Sequence, residues 1–90
     1  MNTARHVFYE GRVQGVGFRY TVKTLAHGFD IVGWVRNLPD GQVEVVFEGD
    51  AESVDRAEAK LRRGPGGARI DHVAVESVPP TGRATGFAVR

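Results

Sequence analysis

The chain contains no cysteine, which excludes disulfides, thiolate nucleophiles and cysteine-held zinc. No apolar run approaches the ~18 residues of a membrane-spanning helix, and the segment from Met1 to His6 lacks the apolar stretch of a secretory signal. A cytoplasmic location with no membrane partner is therefore expected. An excess of charge of one sign is also missing: 12 lysines and arginines face 11 aspartates and glutamates. Nucleic-acid binding draws on a strong positive field, so no nucleic-acid partner is expected. His6, His27 and His72 are far apart and without metal-ligand spacing, and the acidic residues are scattered without forming a carboxylate pair. Neither a metal nor a cofactor is expected. The remainder is ordinary for a soluble globular protein, with 41% hydrophobic and 26% charged residues in a length of 90 that suits a single domain over 1–90.

Glycine, by contrast, is plentiful, and its placement is informative. Gly11, Gly15 and Gly17 fall between a strand-like run and a helix-like run, in the segment Gly11-Arg12-Val13-Gln14-Gly15-Val16-Gly17-Phe18-Arg19. Glycines allow a curl in which successive N–H groups face one concavity, and such a nest at a helix N-terminus attracts anions. An arginine beside it supplies a planar, permanently charged fork that matches two phosphate oxygens. Glycines alone are consistent with a mere tight connection. Gln14, Phe18 and Arg19 in register point instead to a phosphate-sized anion site. It is not a dinucleotide fingerprint, because Tyr20 stands where the third glycine belongs, and no Gly-Lys-Ser/Thr follows to make a Walker loop.

The hydrophobic pattern predicts the elements. Val7-Phe8-Tyr9 reads as a strand ending near Val13, after a few loose N-terminal residues. Phe18, Val22, Leu25, Ala26 and Phe29 share one helical face, with Gly28 and Asp30 at its end. Ile31 to Asn37 and Gln42 to Glu48 form a hairpin about Leu38-Pro39-Asp40-Gly41. Asp50 caps a second helix whose buried stripe is Val54, Ala57 and Leu61, and Gly64-Pro65 stops it. Ile70 to Val78 is a fourth strand, and Phe87-Ala88-Val89 a short edge strand. This βαββαβ order plus a short strand predicts an α+β fold, the ferredoxin-like split-βαβ sandwich. The expected sheet is antiparallel, ordered 4-1-3-2, with both helices on one face. Strands one and two then run in the same direction with strand three between them. Their C-terminal ends lie two spacings of ~4.8 Å apart, roughly 10 Å. Arg19 and Asn37 can face one small ligand.

Other residues have plainer readings. Asp40-Gly41 is the turn, Trp34 packs, and Arg36 is a solvated strand residue. His72 approaches the same sheet edge, and Arg62-Arg63 could greet an anionic substrate tail; both stay open as substrate contacts, a solvated helix end being the simpler reading of the arginines.

Two blocks, Gly11-x-Val13-Gln14-Gly15-Val16-x-Phe18-Arg19 and Gly33-Trp34-Val35-Arg36-Asn37-x-x-Asp40-Gly41-x-Val43-Glu44, together with Phe87-x-Val89, resemble the acylphosphatase family over nearly the whole chain. The resemblance implies a metal-independent, cofactor-free hydrolase that cleaves the carboxyl–phosphate bond of acyl phosphates. Arg19 would bind phosphate, Asn37 would orient water, and backbone N–H groups of Gln14, Gly15, Val16, Gly17 and Phe18 would hold the other phosphate oxygens. Inorganic phosphate would be product and competitive inhibitor. One departure is visible: Asp30 stands where related sequences usually have glycine, at a left-handed helix cap. A monomer is expected. Two other functions share the pattern. An RNA-binding module has the same element order, although strand three offers two glutamates and one aromatic where base-stacking residues belong. A regulatory or assembly module would keep the anion site without turnover. Related domains occur inside larger maturation enzymes that handle carbamoyl phosphate, and with no further sequence after Arg90, the free-standing enzyme is the expected form.

Overall fold

The computed structural model describes residues 2–15, 17–64, 67–82 and 85–90. Its elements are β1 (Asn2–Arg12), α1 (Phe18–Gly28), β2 (Val32–Asn37), β3 (Val43–Asp50), α2 (Ala51–Arg62), β4 (Arg69–Val78) and β5 (Phe87–Val89). They form one five-stranded sheet in the order β4-β1-β3-β2-β5, the ferredoxin-like arrangement expected from the pattern.

The four strands ordered β4-β1-β3-β2 pair antiparallel, as expected; the short β5 runs parallel to β2 at the edge, so the sheet as a whole is mixed. β4 and β5 lie at opposite edges, four spacings or ~19 Å apart, and β5 starts at the end of the sheet where β4 finished. Glu48 on β3 marks the crossing: its carboxylate accepts hydrogen bonds from the N–H groups of Thr81 (3.0 Å) and Gly82 (2.8 Å) and from the Thr81 hydroxyl.

The expectation for the N-terminus needs correction. No loose lead-in precedes β1 among the described residues; Asn2 already pairs with Asp50. The apolar alternation is interrupted at Arg5 and His6, which hides the strand in the sequence. In the fold Arg5 forms an ion pair with Asp55 of α2, and His6 Nε2 lies 2.6 Å from the Glu44 carboxylate.

The core follows the two periodicities. Val7 and Tyr9 from β1, Val35 from β2, and Val43, Val45 and Phe47 from β3 meet Val22 and Ala26 of α1 and Val54, Ala57 and Leu61 of α2 in one buried cluster. Each fully buried Val or Leu contributes about 1.5–3 kcal/mol. Asp50 caps α2 as expected, accepting from the Glu52 N–H at 3.2 Å. Gly64 follows in the left-handed region; Pro65, the second half of the expected stop, lies outside the described residues.

The opposite face of the sheet carries a polar cluster. Glu44 is buried there between Arg36, whose Nε donates to it at 2.5 Å, and His6. The guanidinium groups of Arg36 and Arg90 lie 5.1 and 4.6 Å from the Trp34 ring centre. Arg36 is the exposed strand residue expected, and it is also an ion-pair and cation–π partner. Neighbours outside its own strand, invisible to a one-dimensional pattern, engage it.

Candidate active site

β1 and β2 end at the same edge of the sheet, on either side of β3, because β3 pairs with both, with Tyr9 opposite Val43 on one side and Asn37 opposite the same Val43 on the other. This shared register places the loop after β1 against the end of β2. A cavity of about 170 Å³ opens at that edge, lined by Val13, Gly15, Gly17, Phe18, Arg19, Tyr20 and Asn37. Five of the residues singled out in the sequence (Gly15, Gly17, Phe18, Arg19 and Asn37) therefore meet in one place. Val16 lies outside the described residues.

The loop owes its shape to glycine. Gly15 and Gly17 have φ of 74° and 77°, left-handed values that an L side chain adopts only at a cost of roughly 1–2 kcal/mol. Gly17 is also the N-cap of α1. It has no side chain to offer, and the first turn holds no acidic residue. The Thr21 N–H closes the first helical hydrogen bond to the Gly17 carbonyl at 3.1 Å. The N–H groups of Phe18, Arg19 and Tyr20 come before that bond and have no intrahelical acceptor. The contrast with α2, capped by Asp50, is direct: the N-terminus of α1 has no side-chain cap and brings the positive end of its dipole to the cavity.

Arg19 sits on the first turn. Its Nη1 donates to the backbone carbonyl of Arg90 at 2.9 Å, and Arg90 is held in turn by its N–H on the Val35 carbonyl at 2.8 Å. The end of β5 thus fixes the guanidinium beside β2. No sequence signal marks Arg90 for this task, because the contact spans the whole chain. Asn37 ends β2 with its side-chain Oδ1 buried and without a hydrogen-bond partner among the described residues. A buried carboxamide oxygen in that condition calls for a donor from solvent or ligand.

Gln14 has a different position. Its carboxamide donates to the carbonyls of Leu38 and Gln42, each at 2.8 Å, lashing the glycine loop to the turn that follows Asn37. That turn is closed by Asp40, whose carboxylate accepts from the Gln42 backbone N–H and side chain; these bonds hold the Asp40 carboxyl below its ordinary range. Tyr20 and Val13 line the cavity without having been singled out in the sequence, and Tyr20 was detectable only as an aromatic residue just after Arg19. His72, opposite Glu10 on β4, does not line the cavity. Arg62 is engaged with Glu58 at 2.5 Å. Among the described residues no group of three or more His, Asp or Glu side chains is placed to hold a metal ion.

The fold and this edge define a ferredoxin-like sandwich with a small cavity where β1 hands over to α1. The acylphosphatase family model matches residues 5–89. An acylphosphatase of Methylococcus capsulatus is 52% identical over 84 residues, 93% of this chain and 91% of that protein. One of Rubrobacter xylanophilus is 50% identical over 84 residues, 93% of this chain and 76% of that protein. The structure of an acylphosphatase from Coxiella burnetii superposes with a TM-score of 0.93 at 36% identity, covering 99% of this chain and 93% of that one. The chain belongs to the acylphosphatase family.

Proposed function

We propose that the chain hydrolyses acyl phosphates to a carboxylate and inorganic phosphate, with the phosphoryl group held in the cavity between the glycine loop and Arg19. The single observation that carries this reading is the meeting, around one small cavity, of a helix N-terminus without a side-chain cap, a guanidinium and an asparagine whose buried carboxamide oxygen has no partner among the described residues.

An acyl phosphate is a mixed anhydride whose leaving group is a weakly basic carboxylate, so no strong general acid is needed. The phosphoryl group passes through a loose transition state with charge on its outer oxygens. The Arg19 fork and the N–H groups of the loop from Gln14 to Phe18 stabilise that charge, and the Gln14 lashing keeps the loop in shape. Asn37 Oδ1 accepts a hydrogen bond from the attacking water and aims it in line. The water oxygen bonds to phosphorus as the bond from phosphorus to the acyl oxygen breaks. The electron pair leaves with the carboxylate, and the water proton passes to the substrate's own oxygens. Inorganic phosphate fits the same donors and competes with substrate. A monomeric, cytoplasmic enzyme acting on small molecules accords with this, and no helix among the described residues is long and apolar enough to cross a membrane.

Ultraviolet loss of benzoyl phosphate, with and without EDTA and with rising inorganic phosphate, tests the reading. Turnover that EDTA leaves intact and phosphate inhibits competitively is expected. Arg19→Lys keeps the charge but loses the fork, and kcat/KM is expected to fall about 100-fold or more. Parent-like turnover by this variant would remove Arg19 from the phosphate clamp.

A further inference from the structure

The cavity at Arg19 is small for a whole substrate. Sites that enclose organic ligands run to ~300–1,000 Å³, and this one holds about 170 Å³. Its inner wall is Val13 and Phe18, both almost fully buried. Tyr20 is the outward wall, 67% exposed. The same tyrosine lines a second, larger groove of about 510 Å³ running between α1 and α2, with Thr24, Leu25, Gly28, Phe29 and Lys60. From Tyr20 to Gly28 this groove follows the helix for ~12 Å at 1.5 Å per residue. Leu25 and Phe29 belong to the apolar face of α1, yet they stay only partly buried beside the groove. Among the described residues no carboxylate lines it, and Lys60 Nζ lies over the Phe29 ring at 5.6 Å; apart from that ammonium and the hydroxyls of Tyr20, Thr21 and Thr24 the trough is apolar.

Resting on the phosphoryl-site reading above, we propose that the acyl part of the substrate passes over Tyr20 and lies in this groove. Apolar acyl chains and aryl groups are then the favoured leaving groups, and Tyr20, Thr24 and Leu25 set the preference.

The test compares acetyl phosphate, too short to reach the groove, with octanoyl phosphate, for the parent and for Thr24→Glu and Tyr20→Ser. The parent is expected to show a lower KM for octanoyl phosphate. Each variant is expected to raise the octanoyl-to-acetyl KM ratio about fivefold or more, as lost apolar contact predicts. Octylphosphonate, but not methylphosphonate, is expected to shift the amide NMR signals of Thr24, Leu25 and Gly28 in the parent protein. An unchanged KM ratio, or equal shifts with both phosphonates, would overturn the groove assignment alone. Parent-like acetyl phosphate turnover by Arg19→Lys would overturn the phosphoryl site on which it stands.

Discussion

A carboxamide and a glycine make the sharpest claims at the scale of single residues. Asn37 lines the cavity and its Oδ1 is buried with no protein donor among the described residues, so its contribution is expected in turnover and not in phosphate affinity. Asn37→Ala should lower kcat about 100-fold, the scale of losing one aimed polar group, while isothermal titration with inorganic phosphate gives a Kd within about threefold of the parent. Loss of phosphate binding would show that Asn37 holds the anion and not the water. Gly17 combines φ of 77° with open space around its Cα. Gly17→Ala meets no clash and is strained only by its backbone angle, so a loss of about 1–2 kcal/mol in urea unfolding is expected. An undiminished midpoint would mean that the loop relaxes to another conformation, and the inhibition constant of phosphate would then rise.

At the scale of elements, α1 has one unusual end. Its C-terminus closes with the Ile31 N–H on the Ala26 carbonyl at 2.8 Å and the Asp30 N–H on His27 at 3.3 Å. This is a Schellman cap, and it forces Asp30 to φ of 56°. Glycine takes that angle without strain. Asp30→Gly is therefore expected to raise the thermal midpoint, corresponding to a gain of up to about 1 kcal/mol, with kcat unchanged because Asp30 lies at the far end of α1 from Arg19. A lowered midpoint would contradict the strain argument. The same helix shows what could be read ahead of its structure. The i, i+4, i+8 spacing of Phe18, Val22 and Ala26 and the punctuation at Asp30 were legible. The partial exposure of Leu25 and Phe29 was not, because it depends on how closely α2 approaches.

Electrostatics of the whole molecule set its pH limits. Burial pushes the Glu44 carboxyl up, but hydrogen bonds from Arg36 and His6 outweigh it and leave it below the ordinary value of 4.5. Glu48 is likewise held down by the N–H groups of Thr81 and Gly82. A carboxylate whose folded pKa is depressed binds fewer protons in the native state. Its stabilisation is present above about pH 4.5 and is lost as pH falls through the lower folded value. Tyr9 behaves oppositely: burial, reinforced by Glu58, pushes its hydroxyl well above 10. That contribution is present below pH 10 and is lost as the unfolded phenol ionises above it. Urea midpoints are expected to be flat from about pH 6 to 9, to fall below about 4.5 and to fall again above about 10. Glu48→Gln is expected to lower the midpoint at neutral pH and to flatten the acid limb. An acid limb unchanged in this variant would remove the β3–linker tie from the account.

The local signals in this chain were strong enough to determine the elements, their order and the concentration of chemistry around Gly15, Gly17 and Arg19. Turns, caps and amphipathic periods act over a few residues and are written in one dimension. Three features were decided only by tertiary structure: the direction of β5, the pairing of Arg36 and His6 with Glu44, and the seating of Arg19 on the Arg90 carbonyl. Each depends on which strands lie beside one another, as in the 38-residue separation of His6 from Glu44 and the 71-residue separation of Arg19 from Arg90. Such contacts follow from the closed geometry of the sheet, which no local pattern encodes.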